Sequence, residues 1–112
     1  MLCAANLVLV AEALRLGAAA GVAPEALLEG INAGSGRSGV SEVNFPRWIL
    51  NGALNSGFTM GLMRKDVGLA LSLAAENHLD LPAFAPIAAL WAASAETLPD
   101  SADFNAIAKV TP

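Results

Sequence analysis

The sequence predicts an all-α fold, a bundle of about five to six helices. Alanine and leucine dominate while β-branched residues are few, and no stretch alternates apolar and polar side chains over five or more positions. Glycine and proline fall where helices would start and stop. The 112 residues form one domain spanning 1–112, with no internal repeat, low-complexity tract or linker. A chain of this size buries roughly two-thirds of the surface its unfolded form exposes.

The first helix is read over Met1 to Ala20. Leu2, Leu7, Val8, Leu9, Val10, Leu14 and Leu16 make it apolar on nearly every side, the pattern of a helix buried all round, with Glu12 and Arg15 three residues apart. Gly21 supplies a left-handed stop. Pro24 and Glu25 restart the chain as a second helix to about Asn32, with Ala23 as a poor cap. Residues 34–39 form a loop, and Val40 to Leu50 resumes around Pro46, which must end or kink any helix there. Asn51-Gly52 and Asn55-Ser56-Gly57 read as turns. A strong helix follows from about Leu62, with Leu62, Val67, Leu69, Ala70, Leu73 and Ala74 directed at the core, ending near Asn77 and His78. Pro82 or Pro86 opens the next, with Ile87, Leu90 and Trp91 as its buried stripe, and Pro99 closes it. Asp100 to Asp103 offer caps for a short last helix, Phe104 to Lys109.

Composition excludes several classes of function. Residues AVILMFWYC make up 55% and there are ten glycines, beyond the roughly 45–50% of an ordinary soluble domain with glycine included. Some apolar surface must therefore face a membrane, a second subunit or another part of the same polypeptide. A membrane span needs about twenty predominantly apolar residues, and the best run, Leu7 to Ala11, is closed by Glu12 and Arg15. No membrane is expected, and with no Lys or Arg ahead of the apolar stretch a signal peptide is not expected either. Net charge is −4 with six scattered basic residues, so no nucleic acid is expected. Cys3 is the single cysteine and His78 the single histidine, which leaves no soft ligand set for a metal and fits a reducing cytoplasm.

Residues 34–39 spell GxGxxG, but the motif follows a helix rather than a strand, and Thr59 stands where a ribose-binding acid would be. The segment is read as a connection between helices. His78 near a helix end is read as a cap rather than an acid-base group, and Cys3 as core. Ser35, Ser38 and Ser41 lack the strand-turn-helix setting of a nucleophilic serine. Arg64-Lys65-Asp66 is the chemically richest cluster. Read as a solvated first turn it needs no ligand; yet two cations near a helix N-terminus oppose the dipole, which points to an outside anion or a carboxylate.

Glu12-Ala13-Leu14 then Gly21-Val22, the loop Ser35-Gly36-Arg37-Ser38, Gly57-Phe58, and Lys65-Asp66-Val67-Gly68-Leu69-Ala70 occur in order along the chain. Together they resemble the C-terminal helical domain of the β-hydroxyacid dehydrogenases, the group that includes 3-hydroxyisobutyrate dehydrogenase and tartronate semialdehyde reductase. The resemblance covers nearly the whole chain. It implies a fold like the 6-phosphogluconate dehydrogenase C-terminal domain. It also implies a parent enzyme with an N-terminal Rossmann domain, NAD or NADP as cofactor, and a long helix joining the domains, of which Met1 to Ala20 would be the distal part. That origin accounts for the apolar character of the first helix better than burial in a small bundle does.

By the same resemblance, Phe58 lies beside the nicotinamide or substrate, Lys65 faces the cofactor, and Asp66 holds Lys65 by charge pairing. The general acid-base lysine and its partner asparagine fall ahead of Met1, and Asn6 does not match that asparagine. No catalytic residue is therefore expected in this chain, no cofactor is expected to bind it alone, and its partners would be the Rossmann domain and a second copy in a homo-oligomer. The competing readings are a stand-alone helical interaction module without catalysis and, less favoured by the charges, a membrane peptide.

Overall fold

The fold is known from a computed structural model, which describes residues 1–110. Among them there is no strand, and the chain forms the all-helical bundle that its composition predicts. Helix α1, Leu2–Ala19, packs against most of the other elements. Ala4, Leu7, Val8, Val10, Ala11 and Leu14 recur at helical spacing and are buried. Its end is a Schellman motif: Gly21, at φ 81°, donates to the Ala18 carbonyl at 3.0 Å and Val22 to that of Gly17 at 2.8 Å.

The bundle does not bury α1 all round, in keeping with the expectation that so apolar a helix is more than a small bundle can cover. Leu2, Leu9 and Leu16 follow one another at intervals of seven, and all are exposed, Leu2 by 77% and Leu16 by 74%. In so short a chain the bundle covers one side of the helix and leaves a leucine line on the other. By length and composition α1 could also cross a membrane; a third of it is packed inside the bundle, and Glu12 and Arg15 approach to 3.9 Å.

Helix α2, Pro24–Ala33, starts without a side-chain cap at Ala23 and buries Leu28. The loop from 34 to 39 joins two helices, as its position between helical segments requires. Val40–Ile49 then forms a π-helix. Pro46 has no N–H to give, and its ring would strike the carbonyl four residues back in an α-helix. The wider coil, in which Leu50 N–H donates to the Phe45 carbonyl at 2.9 Å, keeps the segment helical through the proline. Ser38 and Ser41 cap its start reciprocally: Ser38 N–H donates to Ser41 Oγ at 2.8 Å and Ser41 N–H to Ser38 Oγ at 3.2 Å. Their hydroxyls are used in folding.

Helix α3 runs Met60–Glu76, two residues earlier than the spacing suggests, because Thr59 Oγ1 accepts from Leu62 N–H at 3.3 Å. Its buried face is also different. Met60, Met63 and Val67 enter the core, whereas Leu62, Leu69 and Leu73 are exposed. The helix carries two apolar stripes and a bundle of this size covers one. His78 follows its end at φ 53°, and the bonds from His78 N–H to Ala75 and from Leu79 N–H to Ala74 complete a second Schellman motif. The cap at His78 is thus made by its backbone.

Helix α4, Ala85–Ala93, has Pro86 in its first turn and ends before a 3-10 turn, Ser94–Glu96. Trp91 is fully buried and its indole N–H donates to the Ala4 carbonyl at 3.1 Å, which pins α4 to α1. Ala88 joins it in the core, with Ile87 and Leu90 only partly covered. A 3-10 turn, Phe104–Ala106, leads into α5, Ile107–Val110.

Candidate functional site

The site is organised by a short strap between the π-helix and α3. Leu54 is held in the left-handed region, φ 42°, its N–H donating to the Trp48 carbonyl at 3.0 Å. Gly57, at φ 87°, turns the chain so that Phe58 faces inward. From there the strap runs antiparallel to the C-terminal segment. Thr59 bridges Asp103, Phe104 N–H donates to the Phe58 carbonyl at 3.0 Å, and Met60 N–H to that of Ala102 at 2.8 Å. The rings of Phe58 and Phe104 meet edge to face, 5.0 Å apart at 72°.

These contacts form one wall of a recess of 380 Å³, lined also by Cys3, Val43, Trp48 and Met63. Asn44 and Ser56 bring polar side chains to it, and no cation or carboxylate belongs to its lining. Such a recess suits a flat or apolar group with a few hydrogen-bonding atoms.

Behind the wall lies a polar chain that the sequence did not reveal. Asp103 Oδ2 accepts from Ser56 N–H at 2.6 Å and Oγ–H at 2.7 Å, while Oδ1 accepts from Asn105 N–H at 3.0 Å and its side-chain amide at 2.8 Å. Asn105, fully buried, in turn accepts from Asn44 Nδ2 at 2.7 Å. Burial raises the Asp103 pKa, but the four donors outweigh it and hold the carboxyl below its ordinary value. The sequence offers Asp103 only as a helix cap. Its second task spans 47 positions to Ser56, which no local spacing signals.

Phe58 is thus placed in the recess, and Lys65 and Asp66 are not. The two charged residues stand on the outer side of α3, where Lys65 Nζ meets Asp66 Oδ1 at 3.2 Å with 59% of the lysine side chain exposed. The axial rise puts Lys65 about 7.5 Å along α3 from Met60, beyond the strap. Arg64 points the other way. Its guanidinium donates to Asp100 Oδ1 at 2.6 Å, to the Leu98 carbonyl at 2.8 Å, to Ser94 Oγ at 3.0 Å and to the Trp91 carbonyl at 3.3 Å. A carboxylate and carbonyls of the chain itself answer this cation. The cluster also begins in the second turn of α3, so its conflict with the dipole is smaller than the sequence implies. Cys3, expected in the core, is exposed at the rim; partial burial nevertheless raises its thiol pKa, which disfavours a reactive thiolate.

The family profile for "NAD-binding of NADP-dependent 3-hydroxyisobutyrate dehydrogenase" matches residues 1–111. The chain belongs to that dehydrogenase family. A 2-(hydroxymethyl)glutarate dehydrogenase from Eubacterium barkeri is 40% identical over 82 residues, which are 73% of this chain and 27% of that protein. The structure of Mycobacterium tuberculosis 3-hydroxyisobutyrate dehydrogenase with L-serine superposes with a TM-score of 0.82 at 26% identity, over 97% of this chain and 39% of that one. The chain therefore spans well under half the length of these dehydrogenases, and the β-hydroxyacid dehydrogenase resemblance read from its motifs is borne out.

Proposed function

We propose that this chain is the C-terminal helical domain of an NAD(P)-dependent β-hydroxyacid dehydrogenase, serving to close the cofactor cleft and to pack subunits, and silent as a catalyst alone. One observation carries this reading: the recess holding Phe58 is lined by Cys3 in the first turn of α1, the same helix that carries the uncovered leucines. A preceding nucleotide-binding domain would reach the recess there, while Leu2, Leu9 and Leu16 offer an apolar line to that domain or to a second copy.

The residues present fit part of a nicotinamide dinucleotide. Phe58 and Trp48 supply flat apolar walls and Asn44 and Ser56 hydrogen-bonding atoms, while Lys65, kept in place by Asp66, presents a cation outside the recess. When bound, the cofactor would accept or give a hydride. Holding it would be mainly the work of the enzyme's nucleotide-binding domain. The recess is lined by no histidine, lysine or carboxylate, and in this reading the acid-base lysine comes from another part of the enzyme. The lone cysteine supports a cytoplasmic setting.

The purified chain tests this directly. Mixed with NAD(H) or NADP(H) and small 3-hydroxy acids or aldehyde acids, it should show no turnover; oxidation or reduction at an enzyme-like rate would overturn the proposal.

A further inference from the structure

Asp103 divides its two carboxylate oxygens between two separate tasks. Oδ1 caps the turn that begins at Phe104, through Asn105 N–H, which accounts for an aspartate at that point in the chain. Oδ2 has no part in the cap. It takes both the N–H and the hydroxyl of Ser56, and Ser56 Oγ in turn accepts from Phe58 N–H at 3.3 Å. The next residue along, Phe104, completes the grip by accepting the Phe58 ring edge to face and donating its N–H to the Phe58 carbonyl. The strap that carries Phe58 contains Gly57 and a strained Leu54, so without such bonds it would be loose. We propose that Asp103 is a positioning residue for the dehydrogenase, fixing Phe58 in the recess through Ser56 and touching neither cofactor nor substrate itself. This rests on the reading above in which Phe58 faces the cofactor or substrate.

The isosteric variant Asp103→Asn separates this role from simple capping. One oxygen of the pair becomes an NH₂, and whichever way the amide turns, it sets a donor against donors. If the oxygen keeps the cap, Ser56 N–H loses its acceptor. Ser56→Ala removes only the hydroxyl bond and leaves Ser56 N–H paired, so its effect should be smaller and in the same direction.

The test has two arms. In this chain labelled with fluorophenylalanine there are four reporters, Phe45, Phe58, Phe84 and Phe104. Asp103→Asn should shift and broaden the Phe58 and Phe104 fluorine resonances and leave those of Phe45 and Phe84 in place; equal movement of all four, or of none, overturns the proposal. In the complete dehydrogenase, Asp103→Asn should raise KM for cofactor or substrate roughly tenfold while changing kcat much less. The same change made in a Phe58→Ala background should add less than about twofold, because both act through one ring. If Phe58→Ala itself alters no kinetic constant, the assignment of Phe58 falls and takes the proposal with it. Should Phe58→Ala impair the enzyme while Asp103→Asn does not, the assignment of Phe58 stands and the positioning role is overturned. Where Asp103→Asn fails to fold, Ser56→Ala carries both arms.

Discussion

Replacing Arg64 by alanine should be among the more damaging single changes to the stability of this domain, and the structure says which of its bonds matter. The arginine side chain is 12% exposed, whereas its ion-pair partner Asp100 is 81% exposed. An exposed carboxylate regains water when its partner leaves, so the ion pair itself contributes about 1 kcal/mol or less. The bonds to the Leu98 carbonyl and Ser94 Oγ are different, since hydrogen bonds from a charged donor contribute roughly 1.5–3 kcal/mol and acceptors left under the protein surface bear a desolvation cost. Together with the lost alkyl packing, Arg64→Ala should cost about 2–4 kcal/mol, and Asp100→Ala at most about 1. Arg64→Lys should recover no more than about half, because an ammonium cannot fork across Asp100, Ser94 and Leu98 at once. Urea titration followed by circular dichroism measures all three; near the middle of that range Arg64→Ala should also lower Tm by roughly 10–15 °C. If Asp100→Ala were as damaging as Arg64→Ala, the surface ion pair would be the main contributor and the reasoning would be wrong.

Trp91→Phe should cost about 2 kcal/mol in the same titration, from the bond to the Ala4 carbonyl and the volume lost at a fully buried site, and a neutral result would mean that α4 is not pinned to α1 in this way. Because Asp103 is held below its ordinary pKa of 3.8, its contribution to stability is complete above that value and is lost as pH falls through the folded-state pKa. The stability gap between the wild type and Asp103→Asn should therefore be constant from about pH 5 to 7 and shrink below about pH 4. A gap that widens on acidification would contradict the four-donor geometry. Leu9→Glu, in the middle of the exposed leucine line, should abolish self-association of the chain at about 50 μM in sedimentation, whereas a compact monomeric wild type would remove the need for a partner on that side.

What the sequence made legible was what local chemistry decides. Gly21 as a stop and Pro24 as a start follow from backbone constraints that no tertiary contact changes, and the helices they frame are present, whereas Pro99, expected to close the fourth helix, stands beyond its end at Ala93. The choice of buried face in α3 was not legible. Leucines at 62, 69 and 73 and the set Met60, Met63 and Val67 are equally regular, and the bundle, not the period, decides between them. For α1 the excess of apolar side chains was readable, yet not that it would appear as one bare line at 2, 9 and 16. At the site, Phe58 could be singled out through a family likeness. The bonds that hold it could not, since Asn44 and Ser56 lie far along the chain from Asp103 and Asn105 and meet them only in the folded bundle. Pro46 does not end its helix as the backbone constraint suggests; the segment continues through the proline as a widened coil.

The most direct test of the domain's role is the cofactor KM of the complete dehydrogenase carrying Lys65→Ala. The Lys65 side chain is mostly exposed and pairs with its neighbour Asp66, so its loss should leave the fold intact. If this face of α3 meets a dinucleotide, KM for NAD or NADP should rise roughly tenfold, the loss diminishing as salt is added, with kcat within about twofold. An unchanged cofactor KM at low salt would contradict the assignment of this bundle as the lid over the cofactor.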